Sequence, residues 1–191
     1  MDTTTVVMIV IVALILLVVG GFLGVAFARR QRTRRLRERF GPEYERAVNE
    51  LGDRDRAEEE LESRLEHVES LDIKPLSREQ QERFVREWRE VQARFVDKPV
   101  QAVQEADRLV KEVMAARGYP VSDFDQRVAD ISVDHPDLVT HYRGVHEIAA
   151  RSEREEVDTE DLRQAMVHCR AVFEELLGTA VLEMDERRET V

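Results

Sequence analysis

Cysteine, glycine and proline are scarce in this sequence of 191 residues, which contains one Cys, eight Gly and five Pro. A single cysteine, Cys169, excludes an intrachain disulfide framework. The chain also lacks paired Cys/His zinc spacings, a glycine-rich phosphate loop, a G-x-S-x-G elbow and an HExxH motif. We therefore assign no catalytic residue, no metal ligand and no cofactor. Scarce helix breakers and abundant charged helix formers predict an all-α fold with long helices.

One segment carries no charged residue, and in the rest of the chain the basic and acidic residues are concentrated in different regions. The formal net charge is −11, but residues 40–191 carry −16, because Arg29–Arg39 contribute +6 and Asp2 contributes −1. The acidic remainder repels nucleic acid phosphates, so we expect no nucleic acid partner.

The uncharged segment is Val6–Ala28, which consists only of Val, Ile, Leu, Met, Phe, Ala and Gly. As a helix it would span roughly 35 Å, compared with about 30 Å for the hydrocarbon core of a bilayer. The segment therefore predicts one transmembrane helix over residues 6–28. The alternative is a cleaved signal peptide, since Ala26-Phe27-Ala28 resembles a cleavage site, but the leader lacks the basic residues that such a peptide requires.

Seven arginines follow the apolar segment, within residues 29–40, whereas residues 1–5 contain none. Basic flanks stay on the cytoplasmic side, which predicts an inner-membrane protein of a bacterium with its N-terminus outside and the rest of the chain in the cytoplasm. We also expect the arginines to lie at the membrane surface and to contact anionic lipid headgroups. They are Arg29, Arg30, Arg32, Arg34, Arg35, Arg37 and Arg39.

Small residues recur every four positions in the apolar segment, at Gly20, Gly24 and Ala28. This spacing permits close approach of two membrane helices and is a possible site of helix association. Glycine is also common in membrane helices that do not associate, so the pattern alone leaves both interpretations open.

Beyond Gly41, the apolar spacing predicts a charged stalk helix over residues 42–72, a helical bundle over 77–178 and a polar tail over 179–191. In the stalk, a narrow apolar stripe favours a two-helix seam of the coiled-coil kind. Gly52-Asp53 marks a kink or a cap within it. The stripe consists of Ala57, Leu61, Leu65, Val68 and Leu71.

Five helices are predicted in the bundle, each with one apolar face and recognisable end signals. Ser77 with Gln80 is typical of a capping box, and Gly118 and Gly178 are expected to end helices. The predicted first residues or caps of the other helices are Asp97 with Pro99, Ser122 with Asp125, Asp134, and Asp158 or Thr159.

Acidic and histidine side chains are concentrated around Asp134, His135 and Asp137. Carboxylates and imidazoles can bind a divalent ion, and histidine can act as a general base. The competing interpretation is structural, because Asp134 is positioned to cap a helix and Asp137 favours its positive end. His141 and His146 are five residues apart, which turns them away from a shared helix face.

The segment "RFVDKPVQAVQEADRLVKEVMAARGYPVSDFDQRVADISVDHPDLVTHYR" resembles a family of bacterial proteins with one N-terminal membrane helix and a helical soluble part. The resemblance extends from Phe40 to Gly178, and its most distinctive pieces are Gly118-Tyr119-Pro120-Val121 and Ser132-Val133-Asp134-His135-Pro136. It implies the architecture and a bacterial source. It implies no activity and no functional residue.

Taken together, these patterns predict a membrane-tethered cytoplasmic scaffold or adaptor that binds another protein or a second copy of itself. The alternative is a membrane-tethered enzyme or metal-dependent sensor that uses the Asp134, His135 and Asp137 region. This alternative requires the three side chains to converge on an exposed cleft, whereas the scaffold interpretation places them at helix ends.

Overall fold

The computed structural model of the protein describes residues 3–121, 123–152 and 157–178, and describes their side chains except for residues 3–13, 15, 18 and 152. These residues form eight α-helices and no strand. The predicted all-α fold is therefore confirmed for the described chain. The helices are α1 (Thr3–Phe40), α2 (Pro42–Leu51), α3 (Arg54–Ser70), α4 (Arg78–Phe95), α5 (Pro99–Arg117), α6 (Phe124–Asp134), α7 (Leu138–Ser152) and α8 (Thr159–Leu177).

Helix α1 contains both the apolar segment and the arginines without a break. Among the described residues, we find no helix with the length and apolar character needed to cross a membrane. Residues 6–13, 15 and 18 of the predicted membrane segment lie outside the residues whose side chains are described. The transmembrane helix therefore stays a prediction. The predicted polar tail, residues 179–191, and Ser122 also lie outside the described residues.

The chain divides into two compact units, which we call the first unit (Met1–Glu58) and the second unit (Glu59–Val191). In the first unit, the C-terminal part of α1 packs against α2 and is hydrogen-bonded to the start of α3. The side chains of its small apolar core are almost completely buried. They are Leu36, Phe40, Tyr44, Ala47 and Ala57.

Residues 42–72 form two helices rather than the single predicted stalk helix. Helix α2 ends at Gly52, whose φ of 67° lies in the left-handed region and whose N–H donates to Val48 O at 2.9 Å. The Asp53 carboxylate then accepts a hydrogen bond from Arg56 N–H at 2.9 Å and so caps α3. The sequence left a kink or a cap open at Gly52-Asp53, and the structure has a helix end followed by a cap.

The second unit contains α4 to α8, arranged around one large apolar core. Helix α5 packs against both α4 and α8, and α8 also packs against α7. At the centre, the rings of Trp88 and Phe173 stack with their centroids 4.7 Å apart. The bundle predicted from the apolar spacing is confirmed, and Trp88, 4% exposed, is part of its core.

Most of the helix ends in the bundle lie where the sequence places them. Ser77 and Gln80 form the predicted capping box, and Asp158 forms one with Asp161. Gly118 and Gly178 end α5 and α8 with positive φ values of 102° and 89°. Both glycines thus occupy a backbone conformation that other residues adopt only with strain.

Two predicted caps are wrong. Asp97 lies in the turn that follows α4, where its N–H donates to Arg94 O at 3.2 Å. The residue before α5 is Lys98, whose side chain makes no cap hydrogen bond. Asp134 does not start a helix but ends α6, because the N–H of His135 still donates to Ile131 O at 2.8 Å. The N-terminal cap of α6 is Asp123, whose carboxylate accepts a hydrogen bond from Gln126 N–H at 2.8 Å.

Candidate functional site

The seven arginines of residues 29–40 lie on the last turns of α1. Six of them are exposed, and Arg32 is half-buried. Because an α-helix turns by about 100° per residue, this run distributes guanidinium groups around the helix rather than on one side. Thr33 and Leu36 occupy the face that packs within the first unit: Thr33 is half-buried and Leu36 is buried.

Several of the arginines pair with carboxylates inside the first unit. Arg34 Nε lies 2.8 Å from Glu38 Oε1, one turn along α1. Arg37 reaches Glu45 of α2 at 3.0 Å, and Arg29 lies 3.7 Å from Asp55 of α3. These pairs are exposed, so water and salt screen them and each adds little to the stability of the fold. They nevertheless reduce the number of guanidinium groups that remain free to bind an external anion.

A buried carboxylate organises the packing of α1, α2 and α3. Glu58 is 3% exposed. Its Oε1 accepts hydrogen bonds from the hydroxyls of Thr33 at 2.6 Å and Tyr44 at 2.8 Å, and its Oε2 lies 3.7 Å from Arg32 Nε. Burial and the adjacent Glu58 carboxylate raise the pKa of Tyr44, which therefore remains a hydroxyl donor at neutral pH. No local pattern in the sequence distinguishes Glu58 from the acidic residues beside it.

Four of the seven arginines, Arg29, Arg30, Arg34 and Arg37, border a groove of about 420 Å³ between α1 and the start of α3. Five arginines and three carboxylates are among the residues that line it. All of these residues belong to the first unit. The positive lining of the groove comes mainly from α1, but Arg54 of α3 contributes a further guanidinium group. Arg54 is distant in the sequence from the arginine segment, so no local pattern connects the two. We call this feature the arginine groove.

The large apolar side chains of α1 are exposed along the described part of the segment that precedes the arginines. Leu14, Leu17 and Phe22 are 65%, 75% and 74% exposed, and Phe27 is 69% exposed. Gly20 and Gly24, two of the three predicted association residues, have no atom within 4 Å of the position that a Cβ would occupy. Ala28 is exposed as well. A second helix backbone could therefore approach these positions, but helix association itself stays a prediction.

Asp134, His135 and Asp137 have separate surroundings. Asp134 accepts a hydrogen bond from the Tyr119 hydroxyl at 3.1 Å, and burial together with this carboxylate raises the pKa of Tyr119 to about 12. His135 Nδ1 lies 3.1 Å from Glu175 Oε1 of α8, and Asp137 is exposed. In the described chain, no group of three or more His, Cys, Asp or Glu side chains is arranged to hold a metal ion.

Two histidine contacts were missed by the sequence analysis because their partners are distant in the chain. His141 of α7 and His168 of α8 lie with their Nδ1 atoms 2.9 Å apart. Burial and the neighbouring His141 lower the pKa of His168. His67 Nε2 lies 3.6 Å from Asp130, which is 1% exposed, and burial raises the pKa of this carboxyl group. Only the packing of different helices brings these pairs together.

Cys169 is fully buried in the bundle core. Burial strongly raises the pKa of its thiol, which therefore remains protonated and poorly nucleophilic at neutral pH. Its position on the apolar face of α8 agrees with a structural side chain.

Comparison of this chain with family models, curated proteins and solved structures finds no match. The functional argument therefore rests on the residues and geometry described above.

Proposed function

We propose that the protein is a single-pass membrane protein whose helical bundle serves as a tethered scaffold or adaptor in the cytoplasm. The observation that carries the anchor is the exposure of large apolar side chains along α1, from Leu14 to Phe27. Exposing so much contiguous apolar surface to water is unfavourable, at roughly 25 cal/mol per Å². A bilayer core removes this cost because lipid tails surround the helix on all sides.

The orientation follows from the arginines at one end of the segment. Residues 1–5 carry no basic side chain, and residues 29–40 carry seven arginines and one glutamate. Cytoplasmic retention of basic flanks places the N-terminus outside and α2 to α8 in the cytoplasm.

A binding role is proposed for the bundle because the arrangement of its polar side chains and its exposed apolar surface favour protein–protein contact over catalysis. Asp134 contacts Tyr119, His135 contacts Glu175 of α8, and Asp137 is exposed, an arrangement that favours separate roles over the converging cleft that an enzyme or metal sensor would require. The α4–α5 connection and the first turn of α5 expose apolar surface instead: Val96 is 83% and Val100 44% exposed. The partner is another protein or a second copy of this chain.

Topology is tested by fusing alkaline phosphatase or a cytoplasmic fluorescent reporter after Val191 in a bacterial host. We expect fluorescence without phosphatase activity, and membrane fractions that keep the chain after alkaline carbonate extraction. The Leu17→Arg/Phe22→Arg variant should become extractable, because two charges at the centre of a membrane helix each cost about 2.5 to 3.5 kcal/mol. Carbonate release of the wild-type chain, or phosphatase activity outside, would contradict the proposal.

Partner binding is tested by site-directed crosslinking in intact membranes. Cys169 is buried, so a Val96→Cys variant presents one accessible thiol, and the wild-type chain is the matched control. The scaffold proposal predicts a discrete crosslinked species that is absent from the control, either at twice the chain mass or with a defined second protein. Only monomer with Val96→Cys and with similar variants at other exposed bundle positions would contradict it.

A further inference from the structure

The arginine groove of the first unit contains more guanidinium groups than carboxylates can neutralise. Its five arginines are Arg29, Arg30, Arg34, Arg37 and Arg54. Three carboxylates, from Glu38, Asp55 and Glu58, complete its charged lining. The groove has a volume of about 420 Å³, which is within the range of sites that hold small ligands.

The carboxylates near the groove are already engaged. Glu38 pairs with Arg34, and Asp55 lies near Arg29. Glu58 is buried and accepts from two hydroxyls within the unit.

Arg37 pairs with Glu45, a residue outside the groove lining. In the described part of the chain, no carboxylate pairs with the two remaining guanidinium groups, those of Arg30 and Arg54. The two belong to different helices, α1 and α3, yet both border the same cavity. Both residues are exposed, so an external ligand can reach them.

We propose that the arginine groove binds the phosphate group of an anionic lipid headgroup, with Arg30 and Arg54 as its principal phosphate-binding residues. A guanidinium group presents a planar fork of N–H donors that matches two phosphate oxygens. Two such forks, one from each of two packed helices that line the same groove, bind a phosphate more selectively than a flexible basic segment does. This inference rests on the proposed membrane anchor.

The position of the groove along α1 identifies a lipid as the source of the phosphate. At 1.5 Å per residue, Arg30 and Arg34 lie roughly 3 and 9 Å along the helix from Ala28, where the apolar segment ends. The headgroup layer on each side of a bilayer is about 5 to 8 Å thick. With the anchor in place, the groove therefore begins inside the layer of lipid phosphates.

The inference differs from a general attraction between arginines and an anionic surface because only one side of α1 takes part. At about 100° per residue, Arg30, Arg34 and Arg37 fall within an arc of roughly 60°. Arg29, which also lines the groove, lies roughly 80° beyond Arg37, whereas Arg35 lies about 140° from Arg30 in the opposite direction. Arg35 is exposed and does not line the groove. Arg56 on α3 is likewise exposed and outside the lining. These two residues provide a control with the same change in charge on the same two helices.

The test compares Arg30→Gln/Arg54→Gln with Arg35→Gln/Arg56→Gln in the full-length chain. Each chain is purified in detergent and mixed with equal amounts of phosphatidylglycerol and phosphatidylcholine, and native mass spectrometry then measures the ratio of the two bound lipids. We expect the wild-type chain to prefer phosphatidylglycerol. The ratio of bound phosphatidylglycerol to phosphatidylcholine should fall about tenfold in the groove variant and less than about twofold in the control variant. Glycerol phosphate, added as a soluble competitor at the same concentration, should not displace the lipid.

Equal losses in the two double variants would overturn the inference and leave only a diffuse electrostatic attraction. Displacement of phosphatidylglycerol by glycerol phosphate would also overturn it, since the groove would then bind a soluble phosphate. Carbonate extraction of the same chains separates these results from a failure of the proposed function. If the anchor fails, the wild-type chain leaves the membrane, whereas failure of the groove alone leaves every variant in the membrane fraction.

Discussion

The two compact units are stabilised by different kinds of buried side chain. The first unit buries few apolar residues and places two carboxylates among them, those of Glu43 and Glu58, at 5% and 3% exposure. The second unit buries a large apolar cluster, in which Trp88 stacks on Phe173. Hydrogen bonds to a buried charge depend on geometry, whereas apolar burial scales with area and tolerates small displacements.

This difference shows how one chain can contain a charged region that is nevertheless folded. The arginine-rich end of α1 would repel itself as an isolated helix, but its pairs with Glu45, Asp55 and Glu58 give it specific partners on α2 and α3. The bundle also buries two charged side chains, Arg127 and Asp130, but they are few beside its large apolar cluster. Four substitutions test this comparison, and they are considered in order of decreasing expected effect.

Phe173→Ala should cause the largest loss of stability. It removes a fully buried ring that stacks on Trp88, and such truncations cost about 3 to 5 kcal/mol. Trp88 is the only tryptophan, so its fluorescence during guanidinium unfolding of the detergent-solubilised chain reports on the second unit. Val96→Ala, at an 83% exposed position, is the control and should leave the midpoint unchanged. Equal midpoints for the two variants would show that the apolar core does not dominate this unit.

Glu58→Ala should destabilise the first unit by about 2 to 3 kcal/mol. The Thr33 and Tyr44 hydroxyls lose their acceptor, and Arg32 loses its nearby carboxylate. Hydrogen exchange of the amides in α2 should accelerate, whereas that of α5 should not. Glu59→Ala removes the same charge from an exposed neighbouring position and serves as the control. Comparable exchange in the two variants would argue against an organising role for Glu58.

Gly118→Ala should destabilise the second unit by about 2 kcal/mol, because two effects combine. An added Cβ would lie 2.5 Å from the backbone oxygen of Asp72, and the residue would have to adopt a φ of 102°. Gly178→Ala is the matched control: its φ is 89°, but no atom lies within 4 Å, so only the backbone strain of about 1 kcal/mol remains. If the two variants unfold at the same denaturant concentration, the close approach of Asp72 makes no contribution to the loss of stability in Gly118→Ala.

A shift to acidic pH should produce the smallest effect, through His168. Its pKa in the folded chain lies below the ordinary value of 6.5, because burial and His141 disfavour the charged form. The unfolded chain therefore binds the proton more readily as the pH falls below about 6.5, and stability decreases there, whereas above that range it is retained in full. His168→Gln should flatten this pH dependence, because it removes the group whose pKa differs between the folded and unfolded chain. An unchanged pH profile would show that the His141–His168 contact is not linked to folding.

The sequence predicts the bundle well because each of its helices carries a local signal. Apolar spacing identifies the faces of α4 and α5, and Ser77, Gly118 and Gly178 mark helix ends through interactions within a few residues. Errors occurred where two local signals competed. Asp97 and Asp134 both precede a proline by two residues, but Asp134 is the last residue of α6 and Asp97 lies in the turn hydrogen-bonded to the end of α4.

The candidate sites were harder to predict because they join distant parts of the chain. Arg30 and Arg54 are separated by a turn and a whole helix, and no periodicity connects them. The same is true of His141 and His168, and of His67 and Asp130. Glu58 and Glu59 are identical, adjacent residues in the sequence, so the sequence does not reveal that Glu58 is buried and Glu59 is exposed.

The sequence by itself determined the all-α character of the described chain and the apolar faces of its helices. These properties depend on side-chain types and on spacings within one or two helical turns. Only the tertiary structure decided that Glu58 is buried, that α2 and α3 are separate helices, and that Arg30 and Arg54 border one groove. Such features arise when helices pack, because burial and the proximity of distant residues are properties of the packed chain rather than of any local segment.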